Sequence, residues 1–419
     1  GRSCEMSEAA NRLRIDGGRL WQSLMTMAEI GATAKGGVCR LALSETDCDG
    51  RRLFAEWAEA AGCRVSIDGI GNMFAHRAGR DDSLAPVLVG SHLDSQPTGG
   101  KFDGAYGVLS GLEVVRSLQD AGIETLRPIE IVNWTNEEGS RFAPAMMGSG
   151  TYSGALALEE VLAQEESGGG QTVAEALTEH GLAGDAPVGE RTPHAYFEAH
   201  IEQGPILEAE GHTIGVVTAI QGLRWFDCRV EGMEAHAGPT PMPVRKDALL
   251  AASRLVERVN AIALEHAPDG RGTVGEFRIS PDSRNVIPGS VHLGIDMRHP
   301  DADALAAMVE ALRAACDGLE GYGSTLDEIW YSPPTLFDPT CVAAVRNAAD
   351  ALGASYREIT SGAGHDAKYM ADICPSAMVF IPCRDGISHN EIEFAEPEHA
   401  TIGVDVLLLA VLEKAQEPG

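Results

Sequence analysis

Five residues of the types that bind metal ions come after short apolar segments of the sequence, some directly and some several residues later. They are His92, Asp103, Glu138, His200 and His389. A buried carboxylate is costly unless it is paired or bound to a metal, and imidazole and carboxylate groups both ligate divalent transition metals. Ligand sites in α/β sheets gather at the carboxyl ends of strands, so these distant positions can converge. The sequence therefore predicts a hydrolytic centre with two metal ions.

Each motif also has an ordinary explanation when it is taken alone. A histidine after a strand is usually a surface or capping residue, and adjacent glutamates such as Glu137-Glu138 usually form a solvated turn. The glycines between 99 and 104 can simply make turns. The combination of histidines and carboxylates at several strand ends is what favours the metal centre.

The segments that must position these residues alternate between short β-rich runs and longer helical patterns, which is typical of an α/β sheet. Strands are predicted over 86–90, 129–134 and 195–199. The apolar residues after the first strand recur at helical spacing, and that helix is predicted to end at Gly122. The carboxyl ends of these strands are where the metal-type residues begin.

A different order of elements between about 222 and 332 predicts an inserted domain. Its pattern of strand, helix, strand, strand, helix and strand is the split βαβ arrangement of a ferredoxin-like module. The predicted domains are therefore 1–221, the first part of the catalytic domain, then the insertion 222–332, and then 333–419, the second part, with a final helix near 400–415.

Composition limits the classes of partner. The 419 residues are 44% hydrophobic, enough for a full core, and carry a formal net charge of −30, which argues against nucleic acid or an anionic membrane as a partner. We find no apolar run long enough to span a membrane and no secretory signal at the start, so we expect a cytoplasmic protein. The nine scattered cysteines are interpreted as free thiols.

Six motifs together resemble a known family. They are GSHLDSQPTGGKFDG, WTNEEGSRF, HIEQGP, EAHAG, RNVIPG and GHDA, in this order. The chain resembles the amidase/hydantoinase/carbamoylase branch of the co-catalytic zinc aminoacylase and carboxypeptidase clan. The resemblance covers nearly the whole chain. It implies an α/β, dimetal aminopeptidase-like catalytic domain with an inserted ferredoxin-like lid that also forms a homodimer.

The resemblance assigns a role to each metal-type residue. Asp103 would bridge two divalent ions in each subunit. His92 and His200 would complete the ligand shell of one ion, and Glu138 and His389 that of the other. This donor set suits Zn, Mn, Co or Ni.

Two further carboxylates are expected beside these ligands. Asp94 would hydrogen-bond a ligand imidazole and fix its tautomer. Glu137 would be the general base, because two cations lower the pKa of a shared water and an unligated carboxylate can take its proton. Histidine at position 200, where peptidase relatives often carry a carboxylate, indicates the amide and carbamoyl branch.

The resemblance also implies a set of substrate-binding residues. They are Gln203, Trp225, Asn285, Arg298 and Gly364. Arg298 and Asn285 would hold a substrate carboxylate, helped by backbone N–H groups of 361–364. Gln203 would contact the ureido or amide end, and Trp225 would line the side-chain pocket. His236 would reach across the dimer interface to stabilise a tetrahedral oxyanion.

Ordinary roles remain open for some of these residues. Arg298 could form a surface salt bridge, and Trp225 could be plain strand packing. His365 and Asp366 are expected to be structural or to support the ligands from behind.

The function implied is hydrolysis of N-carbamoyl-L-amino acids or 3-ureidopropionate to the amino acid, ammonia and carbon dioxide, with closure of the lid excluding water. The substrate is thus a small ureido carboxylate, and allantoate is the alternative substrate. Two rival functions stay open: an aminoacylase or exopeptidase of the same clan, and a non-catalytic binding protein of the same fold. Loss of Glu137 or of a ligand would mark a non-catalytic protein, and none of these residues is lost.

Overall fold

The computed structural model of the chain describes residues 12–419. They form two compact units. The second unit is Ala219–Thr335, and the first comprises the described residues before it together with Leu336–Gly419. The predicted insertion, 222–332, falls inside the second unit.

Helices and strands are numbered in chain order. The helices are α1 (Gly17–Glu29), α2 (Glu45–Ala60), α3 (Ala105–Asp120), α4 (Met147–Tyr152), α5 (Leu158–Leu162), α6 (Val173–Glu179), α7 (Ile206–Glu210), α8 (Ala248–Glu265), α9 (Ala302–Asp317), α10 (Pro339–Ala351), α11 (Asp366–Ala371) and α12 (Pro397–Ala415). The strands are β1 (Arg64–Ile67), β2 (Met73–Arg77), β3 (Val87–Ser91), β4 (Ile129–Asn133), β5 (Ala195–Ile201), β6 (Ile214–Ile220), β7 (Gly222–Glu231), β8 (Ala235–His236), β9 (Arg271–Ser280), β10 (Val286–Ile287), β11 (Ser290–His299), β12 (Gly323–Ser332), β13 (Thr335–Leu336), β14 (Tyr356–Ser361) and β15 (Ser376–Ile381).

The larger sheet has nine strands, and its main path runs β1-β2-β4-β3-β5-β15-β6-β13, with β14 paired to β6. At its centre β4, β3, β5 and β15 are parallel neighbours. Every residue of these four strands is buried. Continuous apolar runs of this kind are typical of parallel strands that are covered on both faces. Their carboxyl ends therefore meet at one edge of the sheet.

Helices α3 and α12 pack against the central strands. Helix α3 begins after Gly104, whose backbone lies in the left-handed half of the φ range (φ 74°, ψ −53°). It ends at Asp120, two residues before Gly122, which has a φ of 63°. Helix α12 has Pro397 in its first turn and is buried along most of its length. The predicted helix before Gly122 and the predicted final helix are thus confirmed.

The second unit has the predicted order of long elements, with two unpredicted short strands, β8 and β10, between them. Its four-stranded sheet runs β12-β7-β11-β9 with all neighbours antiparallel. Residues along β11 alternate between buried and half-buried, as expected of a sheet covered on one face. Its buried core joins sheet residues such as Phe226 and Leu293 to helix residues such as Leu255 and Leu312. The split βαβ arrangement read from the sequence is therefore confirmed, while its role as a lid stays a prediction.

The cysteines of the described residues are free thiols, as expected from their scatter. Cys4 lies outside the described residues. None of the helices described here has both the length and the hydrophobicity that crossing a bilayer requires.

Candidate metal centre

The candidate centre lies at the carboxyl ends of the four parallel strands of the first unit. His92 directly follows β3, Glu137 and Glu138 follow β4, and His389 lies on the segment after β15. His200 is inside β5, because this strand extends to Ile201 rather than ending at 199. The parallel register thus brings together residues that are almost 300 positions apart.

His92 presents one ring nitrogen to the centre. Its Nδ1 atom lies 2.8 Å from the main-chain oxygen of Asp94. A carbonyl oxygen only accepts, so Nδ1 carries the proton and Nε2 of the neutral ring keeps its lone pair. Nε2 is buried without a hydrogen-bond partner and lies 3.4 Å from Oδ1 of Asp103. An orphaned ring nitrogen of this kind fits a metal ligand.

Asp94 supports its neighbours differently from the expectation. Its carboxylate is 3.6 Å from Nδ1 of His92, beyond hydrogen-bond distance. The carboxylate instead accepts the backbone N–H groups of Glu137 and Glu138 at 3.2 and 3.0 Å. In the structure the main-chain oxygen of Asp94 bonds the imidazole and the side chain holds the glutamate turn, so the predicted bond from the side chain stays a prediction.

His200 repeats the arrangement of His92. Its Nδ1 atom is 2.8 Å from the main-chain oxygen of Ile201, and its Nε2 atom is 3.2 Å from Oδ1 of Asp103. Both buried histidines therefore direct Nε2 to the same carboxylate oxygen.

His389 approaches Asp103 from the other side. Its Nε2 atom lies 3.1 Å from Oδ2 of Asp103 and 3.2 Å from Oε2 of Glu138. Its side chain is 51% exposed, whereas that of Asp103 is 7% exposed. The carboxylate of Asp103 thus has two histidines at one oxygen and one histidine at the other.

Four groups of three residues among those described lie close enough to hold a metal ion: two are His92, Glu137 and Glu138, and Glu198, His200 and His365, and the other two contain Asp103. Of the groups with Asp103, the first is His92, Asp103 and His200, and the second is Asp103, Glu138 and His389. Within each group the nitrogen and oxygen donors lie within 4.8 Å of one another. The donor set and the orphaned Nε2 atom of His92 fit divalent transition metals.

Burial sets the electrostatics of the centre. Burial, with the charge of Asp103, raises the pKa of Glu138 to about 7. Burial also raises the pKa of Glu137 well above its ordinary value, against the charge of His92. For Asp103, burial acts to raise the pKa, but the facing rings of His200, His389 and His92 hold it well below its usual range. Hydrogen bonds to Asp103 and Glu138 raise the pKa of His389 to about 10. The cluster therefore attracts positive charge.

Glu137 occupies a separate position within this cluster. Its Oε2 atom is 3.2 Å from Nε2 of His92, and the residue is 7% exposed. A buried carboxyl group with a raised pKa beside metal-type ligands is suited to proton transfer.

The remaining predicted residues of the first unit lie in two places. Gln203 donates from Nε2 to Oδ2 of Asp103 at 3.2 Å and to Oγ of Ser388 at 2.9 Å, so it contacts the cluster directly. Gly364 follows β14, in the segment predicted to offer backbone N–H groups. One of these, the N–H of Ala363, donates to Oγ of Ser361 at 3.2 Å and is already used.

Trp225 and Arg298 of the second unit share an unpredicted partner, Asp296. The Arg298 guanidinium donates to both Asp296 oxygens at 2.9 Å. The Trp225 indole N–H also donates to Asp296 at 2.9 Å, across a directly opposed pair of β7 and β11. The salt bridge considered for Arg298 is thus present.

His236 and Asn285 are neighbours in the second unit. Strand β8 pairs with β10 through His236 and Val286, and the N–H of Ala237 donates to the main-chain oxygen of Asn285 at 2.9 Å. Nδ1 of His236 accepts the N–H of Gly238 at 3.0 Å, and the ring is exposed.

His365 and Asp366 support the cluster from behind, as expected. The His365 ring packs edge-on against His200 at 4.5 Å between centroids, and its Nε2 atom is 2.9 Å from Oγ of Ser361. Burial and the charge of His200 hold the pKa of His365 well below its ordinary value. Oδ1 of Asp366 accepts the hydroxyl of Ser149 at 2.6 Å.

Sequence reasoning missed two buried carboxylates. Glu198 accepts the hydroxyls of Ser91 and Tyr196, each at 2.8 Å, and Glu393 accepts the backbone N–H of Asp103 at 2.9 Å. Glu198 lies two residues before His200 and Glu393 four after His389. This proximity was the only available signal, and it does not show what an acidic side chain contacts.

Comparisons with known proteins identify the relatives of this chain. A model described as Peptidase family M20/M25/M40 matches residues 88–413. An N-carbamoyl-L-amino-acid amidohydrolase of Rhizobium meliloti is 48% identical over 415 residues, covering 98% of this chain and 99% of the relative. A ureidoglycolate hydrolase of Arabidopsis thaliana is 34% identical, covering 96% and 87%. The crystal structure of an amidase of the hydantoinase/carbamoylase family from Burkholderia multivorans has 57% identity and a TM-score of 0.93, covering 97% of this chain and 100% of that one.

Proposed function

Because this chain belongs to peptidase family M20/M25/M40, we propose that it is a metal-dependent amidohydrolase of N-carbamoyl-L-amino acids. It hydrolyses the ureido group to the free amino acid, ammonia and carbon dioxide. One observation carries this conclusion: a relative of that name is 48% identical along almost the full length of both chains. The first unit also keeps a full set of metal-type ligands around Asp103 and a buried carboxylate beside them.

We propose two divalent ions in each subunit, either Zn, Mn, Co or Ni. Asp103 would be shared by both ions, His92 and His200 would hold one of them, and Glu138 and His389 would hold the other. The two histidine contacts to Oδ1 and the one to Oδ2 of Asp103 support this division. When bound, the ions polarise the ureido carbonyl and acidify a water molecule.

The chain's own residues position the substrate and move protons. Glu137 takes a proton from the attacking water and returns it to the leaving nitrogen. Gln203, which already lies against Asp103, orients the ureido end. Arg298 and Asn285 bind the substrate carboxylate. For Arg298 this requires exchange of the Asp296 carboxylate for that of the substrate.

Three further roles are proposed from the family resemblance. Gly364 offers its backbone to the substrate carboxylate, and Trp225 lines the side-chain pocket. His236 stabilises the oxyanion in the active site of a second subunit. The exposed ring of His236 is accessible for this role.

A homodimer formed through the second unit supplies that partner. Strand β9 is the edge of its sheet, so its outer backbone groups can pair with another strand. Beside it, α8 and β9 line an apolar surface groove of about 540 Å³ that includes Leu250, Val256, Val274 and Phe277. Leu250 is 49% exposed and Phe277 is 40% exposed. An open edge next to exposed apolar side chains supports pairing with a second copy.

We also propose that the protein is cytoplasmic and binds neither nucleic acid nor membranes. The free thiols of the described residues and the net charge of −30 support this proposal.

The test is a panel of substrates given to the metal-loaded enzyme, with ammonia release as the readout. Its members are an N-carbamoyl-L-amino acid, 3-ureidopropionate, allantoate, ureidoglycolate, an N-acetyl-L-amino acid and a dipeptide, the last two assayed by free amine. We expect the N-carbamoyl-L-amino acid to have the highest kcat/KM. Turnover of the N-acetyl compound or the dipeptide without turnover of the carbamoyl compound would contradict the proposal.

A further inference from the structure

Glu393 joins the two chain segments that carry Asp103 and His389. Its Oε1 atom accepts the backbone N–H groups of Phe102 and Asp103 at 3.0 and 2.9 Å. Its Oε2 atom accepts the hydroxyl of Ser388 at 2.8 Å. One side chain therefore fixes the backbone of one metal-type residue and the immediate neighbour of another.

The position of Glu393 is tightly defined. The residue is 3% exposed, and a Cβ atom placed on Gly100 would lie 2.3 Å from its carboxylate. Glycine at position 100 therefore leaves the space that this carboxylate fills. Because a buried carboxylate needs hydrogen-bond donors, the three donors explain how it is tolerated.

The ring of His389 is held less tightly by its surroundings than the two buried histidine rings are. Its side chain is half exposed, and its backbone is left-handed at φ 52°. Burial therefore does not hold this ring as it holds those of His92 and His200. The segment around it is instead anchored by hydrogen bonds. Besides the bond of Ser388 to Glu393, the N–H of Arg384 donates to Phe394 at 2.8 Å.

We propose that Glu393 is a positioning residue of the metal centre, holding the Asp103 and His389 segments at the separation that binding of the second ion requires. This inference rests on the proposed two-metal site. Carboxylates and carbonyls that orient ligands typically change metal affinity 10–100-fold when they are removed.

The test compares metal affinity in matched variants, by chelator competition and by the visible spectrum of the Co(II)-loaded protein. We expect Glu393→Ala to bind the second Co(II) equivalent about 10–100-fold more weakly than the unsubstituted protein. Glu393→Gln keeps an oxygen acceptor for both N–H groups, so it should restore affinity to within a few-fold. The control is Glu113→Ala. Glu113 lies in the middle of α3, and its buried carboxylate pairs with Arg19 at 2.7 Å. This variant should lower the unfolding temperature but leave metal affinity unchanged.

Two results would overturn the inference: unchanged Co(II) affinity in Glu393→Ala, or an equal loss in Glu393→Gln. If Glu393→Ala does not fold, Ser388→Ala removes the hydroxyl link to Glu393, together with the contact of that hydroxyl with Gln203, and the same weakening of the second ion is expected. Failure of the unsubstituted protein to bind Co(II) would instead overturn the proposed metal site itself, so the two failures are distinguishable.

Discussion

At the scale of single residues, main-chain oxygens determine how the buried histidines face the centre. In both His92 and His200 the Nδ1–H group donates to a backbone carbonyl. When it is neutral, as a metal ligand must be, each ring is thereby held in the tautomer whose Nε2 lone pair faces the centre. No substitution of a side chain can remove these acceptors, so the tautomer is a property of the fold.

The two adjacent glutamates should respond differently to loss of charge. Glu137→Gln removes the proton acceptor but no proposed ligand, so we expect kcat to fall about 10²–10⁴-fold with metal content unchanged. Glu138→Gln, the matched neighbour, should lose metal. Steady-state kinetics together with elemental analysis checks both. Full activity in Glu137→Gln would remove its assignment as the base.

Gly104 should be required for the place of His92. A Cβ atom there would lie 2.3 Å from Cε1 of His92, at a backbone φ of 74°. We expect Gly104→Ala to lose metal affinity as well as stability. Gly122→Ala is the control, because it has a φ of 63° with nothing within 4 Å and should cost only about 1–2 kcal/mol of backbone strain. Equal metal affinity in the two variants would contradict this explanation.

At the scale of elements, the strand predictions were correct because continuous buried apolar runs are visible in sequence. The residues at which the strands end were predicted less exactly, and β5 runs two residues beyond its predicted end. The convergence of the metal-type residues could be predicted because parallel strands must bring their carboxyl ends together. The hydrogen bonds of Asp94 and Glu393 could not be predicted, because they depend on where two loops meet in space. The pairing of Arg298 with Asp296 has a different origin, because the two residues lie two positions apart on one face of β11.

A cross-strand pair on β2 and β4 should make stability depend on pH. His76 lies opposite Glu130, with Nδ1 2.9 Å from its carboxylate. The hydrogen bond to Glu130 raises the pKa of His76 against burial. For Glu130 burial acts to raise the pKa, but His76 and Arg191 hold it below its ordinary value.

The stabilisation from His76 is therefore fully present below its unfolded pKa of about 6.5 and is lost as the pH rises through its raised folded value. The stabilisation from Glu130 is fully present above its unfolded pKa of about 4.3. It is lost as the pH falls through the depressed pKa of the folded state. We expect His76→Gln to lower the free energy of unfolding by about 1–3 kcal/mol near pH 5.5, and by less at pH 9. Denaturant unfolding at both pH values measures this. A loss that does not depend on pH, or one unchanged in a Glu130→Gln background, would contradict it.

At the scale of the whole molecule, the net charge of −30 opposes the approach of an anionic substrate. In the proposed mechanism, metal ions held by the buried carboxylates and the guanidinium of Arg298 would supply the local positive charge that such a substrate needs. Composition alone implies this requirement. It could not predict that Arg298 is paired with Asp296.

The proposed dimer gives a prediction at the same scale. Phe277→Arg places a charge in the apolar groove beside the open edge of β9 and should convert a dimer to a monomer of 44.3 kDa at micromolar concentration. Leu336→Arg, at an exposed residue outside this groove, should remain dimeric. Light scattering after gel filtration measures both masses. A monomeric unsubstituted protein would rule out the dimer.

The central claim is that Asp103 lies between two metal ions. Anomalous diffraction from crystals of the protein loaded with zinc or manganese tests it most directly. The account predicts two peaks on either side of the Asp103 carboxylate, one within about 2.0–2.2 Å of ligand atoms of His92 and His200, and the other equally close to Glu138 and His389. Peaks elsewhere, or none near Asp103 in active enzyme, would contradict it.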